Sequence, residues 1–87
     1  MKKDNKENFL EELYSTIHNR SKEKNTNSYT NLLLKKGKTE IAKKVGEEAT
    51  ELIIDYLNGS KKRTIEEAAD LIYHLLVMLY SKKINLN

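Results

Sequence analysis

Almost nothing in this chain of 87 residues interrupts a helix, because it contains no proline and only three glycines. Apolar side chains recur along most of it at spacings of three and four residues, which is the period of an amphipathic α-helix. We therefore predict an all-α fold, a bundle of about four helices in a single domain over 1–87, with frayed tails at 1–4 and 82–87. A domain of this size hides only about 60–65% of its unfolded surface, so we expect a second copy to complete the core.

The few turn signals in the sequence predict where the helices end. The predicted helices cover residues 5–19, 28–36, 39–57 and 64–81, with a polar loop over 20–28. Gly37 predicts a left-handed stop after the second helix, and Gly59 predicts the end of the third. Thr64 and Glu67 form a Thr-x-x-Glu capping box, which predicts the start of the fourth helix. Gly46 lies inside the third helix at a cost of about 1 kcal/mol relative to alanine, so either something approaches the backbone there or the cost is tolerated.

The composition excludes several classes of function. The chain has no cysteine, which excludes a disulfide framework, thiol catalysis and a thiolate zinc site, and which fits a reducing cytoplasm. Its longest apolar run, 71–80, is interrupted by His74 and is well short of the roughly 20 residues that a membrane span needs. The N-terminus lacks the apolar core of a signal peptide. We expect a cytoplasmic protein with no membrane partner.

The formal net charge of +3 conceals a segregation of charge along the chain. Residues 20–46 hold eight cations and two acids, a net charge of +6, whereas residues 47–70 hold seven acids and three cations, a net charge of −4. A basic segment followed by an acidic cluster suggests phosphate recognition beside a divalent-cation site. The alternative is a solvated helix surface with mixed charges.

Acidic side chains border the apolar faces of the third and fourth predicted helices. The apolar stripe of the third helix consists of Ile41, Ala42, Val45, Ala49, Leu52, Ile53 and Tyr56. Glu48 lies at the margin of this stripe, Glu51 and Asp55 continue along the same flank, and Glu47 points toward solvent. The fourth helix is apolar around nearly its whole circumference, which predicts burial on all sides. Its polar strip consists of Glu66, Glu67, Asp70 and His74.

A connection of about five residues, 59–63, predicts that these two helices form an antiparallel hairpin. In that arrangement four acids converge: Glu48, Glu51, Glu67 and Asp70. Gathered carboxylates repel and raise one another's pKa unless a cation offsets the charge, and such hard oxygen ligands suit Mg²⁺ or Mn²⁺. Other roles stay open: Glu67 as the capping-box acid, Glu66 as a complement to the helix dipole, and His74 as a core-edge histidine rather than a ligand.

The same acids belong to motifs that resemble a known family. Glu47-Glu48-Ala49-Thr50-Glu51, followed after fifteen residues by Glu67-Ala68-Ala69-Asp70, resembles the EExxE…ExxD pattern of the all-α nucleoside triphosphate pyrophosphohydrolases, the MazG-like group. The flanking stretches 28–30, 36–37, 41–48 and 66–77 are similar to the phosphoribosyl-ATP pyrophosphohydrolase family of histidine biosynthesis. The resemblance covers roughly residues 7–81.

This resemblance implies hydrolysis of 1-(5-phosphoribosyl)-ATP, a small nucleotide, to the AMP derivative and pyrophosphate, with Mg²⁺ as cofactor and a homodimer or larger assembly. It implies a metal set of Glu48, Glu51, Glu67 and Asp70. Glu47 and Glu48 are the catalytic candidates, with Glu47 as an outer-shell ligand or a base that orients water. Four lysines are candidates for holding substrate phosphates, unless they form only a solvated face: Lys36, Lys38, Lys43 and Lys44.

Two other functions remain as alternatives. A related pyrophosphohydrolase would act on canonical or damaged nucleoside triphosphates. A non-enzymatic helical interaction module or nucleic-acid binder would use the basic segment, but no motif with base-reading side chains is visible, so we expect no nucleic-acid partner. The metal-binding cysteines of the cyclohydrolase domain that some organisms fuse to this enzyme are absent, so we expect the pyrophosphohydrolase step alone.

Overall fold

The computed structural model describes residues 4–22 and 28–84, with side chains from Phe9 onward. These residues form four α-helices and no strand: α1 (Asp4–Lys22), α2 (Tyr29–Lys36), α3 (Lys38–Asn58) and α4 (Lys61–Ser81). The all-α prediction is confirmed for this part of the chain, and α2 and α3 match their predicted bounds to within one residue. Helix α1 continues through 20–22, where the sequence predicts a loop. The rest of that loop, 23–27, and the predicted tail residues 1–3 and 85–87 lie outside the described residues.

Helices α2 and α3 meet at Gly37, which ends one helix and precedes the other. The Ser28 hydroxyl caps the start of α2 by accepting a hydrogen bond from the backbone N–H of Asn31 at 3.1 Å. At the other end, the N–H of Gly37 donates to the carbonyl of Leu33 at 3.2 Å. Gly37 has the positive φ that the sequence predicts, 98°, but its ψ of −176° is extended rather than left-handed helical. This conformation, which favours glycine, leads the chain from α2 into α3 through a single residue.

The capping box predicted at Thr64 is wrong, because α4 begins three residues earlier. Ser60 is the N-cap, and its hydroxyl accepts a hydrogen bond from the backbone N–H of Arg63 at 3.1 Å. The Thr64 hydroxyl lies within the first turn, 2.9 Å from the carbonyl oxygen of Ser60 and 3.2 Å from that of Asp55. Because α4 starts early, the connection between α3 and α4 is only two residues long, 59–60. The contact between the Thr64 hydroxyl and the Asp55 carbonyl links the two helices across this turn.

Helix α4 ends in a Schellman motif at 82–84, where the sequence predicts part of a frayed tail. The backbone N–H of Lys83 donates to the carbonyl of Tyr80, and the N–H of Ile84 donates to that of Leu79, both at 2.9 Å. Lys83 has a φ of 63°, in the left-handed region. The carbonyl of Ile84 also accepts a hydrogen bond from the Tyr14 hydroxyl at 2.6 Å, which connects the end of α4 to α1.

The core lies where the four helices meet, and α3 and α4 make the most extensive contact as an antiparallel hairpin. Its buried apolar side chains are Ile17, Leu33, Ile41, Leu76 and Val77. Around them pack partly buried apolar and aromatic side chains from α1, α2 and α4. This core therefore covers only the inner side of the hairpin.

The prediction that α4 is buried on all sides is wrong for the single chain, because Ile65 is 69% exposed and Ile72 is also exposed. The predicted apolar stripe of α3 is likewise only partly covered. Its exposed members are Ala42, Ile53 and Tyr56. Tyr56 of α3 and Ile65 of α4 line one shallow cleft. Ile53 precedes Tyr56 by three residues and Ile72 follows Ile65 by seven, so each shares the helix face of its neighbour in that cleft. We call this surface, formed by Ile53, Tyr56, Ile65 and Ile72, the outer hairpin face.

Gly46 lies in the interior of α3, on an exposed part of the helix. A β-carbon at Gly46 would meet no heavy atom within 4 Å among the described residues. Close approach of another part of the described chain therefore does not explain this interior glycine.

Replacing Lys83 by glycine should raise the free energy of unfolding by about 0.5–1 kcal/mol, because glycine adopts the left-handed conformation without a β-carbon penalty. Lys82 provides a matched control, since it is exposed, carries the same charge and has a φ of −96°. Lys82→Gly should leave stability unchanged or lower it. Urea denaturation of both variants measures the difference, and an equal loss of stability in the two would contradict this prediction.

Candidate metal centre

Three carboxylates from the two hairpin helices come together midway along their contact. One oxygen each from Glu48 of α3 and from Glu67 and Asp70 of α4 lie within 4.8 Å of one another. The spacing of three residues places Glu67 and Asp70 on one face of α4, and the antiparallel hairpin turns that face toward Glu48. A cation with metal–oxygen distances of 2.0–2.1 Å spans ligand oxygens roughly 3–4 Å apart, so small rotamer changes would close the cluster around one ion.

The other two predicted acids lie at the edge of this cluster. Glu51 is exposed and is not part of the three-residue group, but it interacts with Glu67 closely enough to raise the pKa of that side chain. The Glu47 side chain is 46% exposed, in agreement with its predicted solvent-facing position. The structure therefore brings Glu48, Glu67 and Asp70 together and places Glu51 and Glu47 beside them.

Two of the clustered acids are buried, and each has an oxygen without a partner. Glu48 is 9% exposed and Glu67 is 5% exposed. Among the described residues, neither Glu48 Oε1 nor Glu67 Oε1 has a hydrogen-bond partner. A buried charged oxygen without a donor is destabilising. A divalent cation requires hard oxygen donors, and this cluster supplies buried carboxylate oxygens without hydrogen-bond donors, so the residues present fit such an ion.

The second oxygen of each buried acid faces a cation from the preceding turn of its own helix. Lys44 Nζ lies 3.8 Å from Glu48 Oε2, and Arg63 Nη2 lies 3.0 Å from Glu67 Oε2. Both pairs have the i,i+4 spacing that places opposite charges together on a helix. Each buried carboxylate is therefore partly neutralised on one oxygen and left open on the other.

The pKa of Glu67 is raised above its ordinary value. Burial is the largest cause, the charge of Glu51 is the next, and the closeness of the Glu48 and Glu51 carboxyl groups acts in the same direction. Arg63 lowers the pKa of Glu67 without cancelling the increase. Full ionisation of this cluster therefore opposes folding unless a cation is bound.

The four lysines predicted to hold phosphates do not lie together. Lys36 and Lys44 line one cleft of about 210 Å³ with Tyr29. Lys38 lines a different cavity, of about 540 Å³, with aromatic side chains of α1 and α4. Lys43 is exposed and lines neither of the two. Only Lys44 also contacts the acids, at 3.6 Å from Glu47 Oε1, so it joins the first cleft to the carboxylate cluster.

Tyr29 and His74 connect this cleft to the backbone of α4 beside the cluster. His74 Nδ1 lies 2.7 Å from the carbonyl oxygen of Asp70, and His74 Nε2 lies 2.7 Å from the Tyr29 hydroxyl. Because a carbonyl can only accept, Nδ1 carries the ring proton and Nε2 accepts from the phenol. Burial raises the pKa of Tyr29, which keeps this phenol protonated. His74 is thus a buried histidine at the edge of the core and not a member of the carboxylate group.

Sequence reasoning missed two residues of this region as site residues, Arg63 and Tyr29. The i,i+4 spacing from Arg63 to Glu67 was an available signal. Its significance depends on where α4 begins, and the Thr64 capping box predicted a later start. No local pattern predicts the position of Tyr29, because it depends on how α2 packs against α4.

No helix in the described ranges is both long and apolar enough to cross a bilayer. The fold and the cluster together define an all-α protein with a candidate divalent-cation centre between two antiparallel helices. Comparison with known proteins gives the family, because a family model described as phosphoribosyl-ATP pyrophosphohydrolase matches residues 10–87. The chain belongs to this family of hydrolases, which act on a phosphoric anhydride, and the resemblance seen in the motifs is confirmed.

Individual relatives agree with this assignment. A protein of Sulfurisphaera tokodaii named phosphoribosyl-ATP pyrophosphatase is 54% identical over 72 residues, which is 83% of this chain and 77% of that protein. One of the same name from Bacillus cytotoxicus is 44% identical over 80 residues, 92% of this chain and 75% of the relative. The histidine biosynthesis bifunctional protein HisIE of Caldanaerobacter subterraneus subsp. tengcongensis is 50% identical over 79 residues, 91% of this chain but only 38% of that protein.

The metal-free protein should lose stability as the pH rises from about 4.5 toward neutrality, because Glu67 holds its proton more tightly when folded than when unfolded. Glu67→Gln should flatten this dependence and raise the free energy of unfolding at about pH 7. Glu66→Gln removes the same charge from an exposed neighbour and should keep the slope. Urea denaturation in a chelator at about pH 5 and pH 7 measures both, and an unchanged slope in Glu67→Gln would contradict the assignment.

Proposed function

We propose that this chain hydrolyses 1-(5-phosphoribosyl)-ATP to 1-(5-phosphoribosyl)-AMP and pyrophosphate in the cytoplasm, the second step of histidine biosynthesis. Mg²⁺ is the proposed cofactor, and Mn²⁺ is a chemically suitable substitute. The observation that carries the metal-dependent reaction is the pair of buried, unpartnered oxygens on Glu48 and Glu67. The substrate is proposed from membership of the family and from the names of the relatives.

Glu48, Glu51, Glu67 and Asp70 would hold the cation. When bound, it would neutralise charge on the leaving pyrophosphate and bring phosphate and water oxygens together. The two buried acids, Glu48 and Glu67, give the site a dry side. The exposed carboxylates of Glu51 and Asp70 form its open side, where water and substrate enter.

In the proposed reaction, a water oxygen attacks the α-phosphorus and the bond from that phosphorus to the bridging oxygen breaks. The bridging oxygen leaves with the electron pair as part of pyrophosphate. Glu47, at the exposed edge of the cluster, orients the water and accepts its proton. Lys44 interacts with phosphate oxygens from its position between the acids and the cleft, and Lys36 extends the positive charge along the cleft.

Lys44 is suited to this role by its surroundings. Burial lowers its pKa, but the nearby Tyr29, Glu47 and Glu48 outweigh that effect, so the pKa is raised and the side chain stays a cation. Lys38 and Lys43 lie outside the cleft that Lys44 lines, so we do not retain them as phosphate ligands in this proposal.

Glu51→Gln and Asp70→Asn should each lower Mg²⁺-dependent release of pyrophosphate from 1-(5-phosphoribosyl)-ATP by about 100-fold or more, because each removes a ligand charge. Both side chains are exposed, so the helical circular dichroism spectrum should not change. Glu11→Gln, which removes the same charge from the exposed surface of α1, should keep full activity.

Wild-type protein that is folded but releases no pyrophosphate from this substrate with Mg²⁺ would overturn the proposal. Faster turnover of canonical or damaged nucleoside triphosphates would instead favour the related pyrophosphohydrolase. Binding to nucleic acid that weakens steeply with salt, and that Glu48→Gln does not change, would favour the non-enzymatic alternative.

We also infer that the chain forms a homodimer or a larger assembly through the outer hairpin face. Ile53, Tyr56 and Ile65 are 58%, 75% and 69% exposed. Contiguous apolar surface of this kind is uncommon on monomers and marks interaction sites. The space over Gly46, on the same helix, is also free for another helix to approach.

The double variant Ile53→Gln, Ile65→Gln should convert the assembly to a monomer, because it removes apolar area that the single chain leaves exposed. Light scattering coupled to size-exclusion chromatography measures the mass. Glu11→Gln, a polar change on the exposed surface of α1, should leave the mass unaltered. A wild-type protein that is monomeric at high concentration would contradict the inference.

A further inference from the structure

Arg63 lies where the hairpin turn meets the carboxylate cluster, and it contacts three acids. Its Nη2 atom is 3.0 Å from Glu67 Oε2 and 3.6 Å from Asp55 Oδ2. Its Nη1 atom is 3.5 Å from Glu66 Oε1. Glu67 is buried in the cluster, whereas Asp55 belongs to α3, so a single guanidinium joins the two helices beside the candidate metal ligand.

The turn itself holds Asp55 in place to receive Arg63. The Asp55 carbonyl accepts a hydrogen bond from the Gly59 N–H at 2.7 Å and lies 3.2 Å from the Thr64 hydroxyl. A β-carbon at Gly59 would lie 2.7 Å from Asp55 Oδ1, so glycine leaves the space that the Asp55 carboxylate occupies. Gly59 has a φ of −100°, which any residue adopts, and this close approach is therefore the reason for glycine.

These contacts fix the orientation of Glu67 more than they add stability. Arg63 is about half exposed, and exposed ion pairs contribute little to stability because water and salt screen them. Its Nη2 atom, however, holds one Glu67 oxygen while Nη1 faces Glu66, and Glu67 Oε1 is left without a partner among the described residues. A guanidinium is suited to this task, because its donors have a fixed planar geometry.

We propose that Arg63 is a positioning residue of the metal centre, anchored by Asp55, and that it presents the free oxygen of Glu67 to a divalent cation. The proposal rests on the proposed metal centre and concerns a residue outside the four ligands. A positioning residue and a simple counter-charge differ in how their removal changes the affinity of the site for a cation. A counter-charge competes with the cation, so its removal would strengthen cation binding, whereas loss of a positioning contact weakens it by about 10–100-fold.

The test is the dissociation constant of Mn²⁺ for the full chain without substrate, measured from the electron paramagnetic resonance signal of free Mn²⁺. Arg63→Gln should raise that constant about 10–100-fold. Lys62→Gln removes the same charge from an exposed adjacent position and should change it less than about twofold. An Arg63→Gln constant equal to or lower than that of wild type would overturn the proposal.

Two further variants keep the proposal testable if Arg63→Gln fails to fold. Arg63→Lys retains the charge but loses the planar fork, so it should also weaken Mn²⁺ binding. Asp55→Asn should weaken it in the same direction, and combining it with Arg63→Gln should add little, because both act through one contact. Wild-type strength of binding in Arg63→Lys and Asp55→Asn would overturn the proposal. Absence of Mn²⁺ binding in wild type would overturn the metal centre as well, which separates the two failures.

Discussion

The burial of two carboxylates, Glu48 and Glu67, between α3 and α4 is the constraint on which the rest of the hairpin depends. Removing such a charge from water costs several kcal/mol, and a nearby cation offsets this only in part. Lys44 and Arg63 each approach one oxygen and leave the other open. An apolar pair of similar volume would pack at this position at a lower cost. Acids at this position therefore do not serve the stability of the single chain, and the proposed divalent cation would offset their cost.

The basic segment shows how charge along a sequence differs from charge in space. Residues 20–46 carry a net charge of +6, yet the fold distributes the four candidate phosphate-binding lysines over separate surfaces. The single-residue turn at Gly37 brings Lys36 of α2 and Lys44 of α3 to one cleft, while Lys38 lines another cavity. Only the first cleft adjoins the acids, through Lys44. A sum over a segment therefore does not predict which lysines lie beside the acids.

The sequence predicted those features that local signals or helical register determine. Ser28 and Gly37 bound α2 as expected. Of the four acids that the spacing on an antiparallel hairpin predicted to converge, three form the cluster and Glu51 lies beside it. The start of α4 was wrong because two hydroxyl residues, at positions 60 and 64, compete as caps. The earlier cap adds most of a turn to the helix and places Arg63 within it. The contact of Arg63 with Asp55 and that of Tyr29 with His74 join different helices, so only the packed structure shows them.

The outer hairpin face and the carboxylate cluster are two incomplete surfaces of the same pair of helices. One leaves apolar side chains in water, and the other leaves buried oxygens without donors. A partner that binds only the folded chain stabilises it in proportion to its concentration and affinity, whether that partner is a cation or a second copy. The cation and the second copy would each contact both α3 and α4, so each would restrict how the two helices pack together. The affinity for the cation should therefore depend on association, and the reverse. In an associated hairpin the two helices already have less conformational freedom, so less is lost when a cation binds.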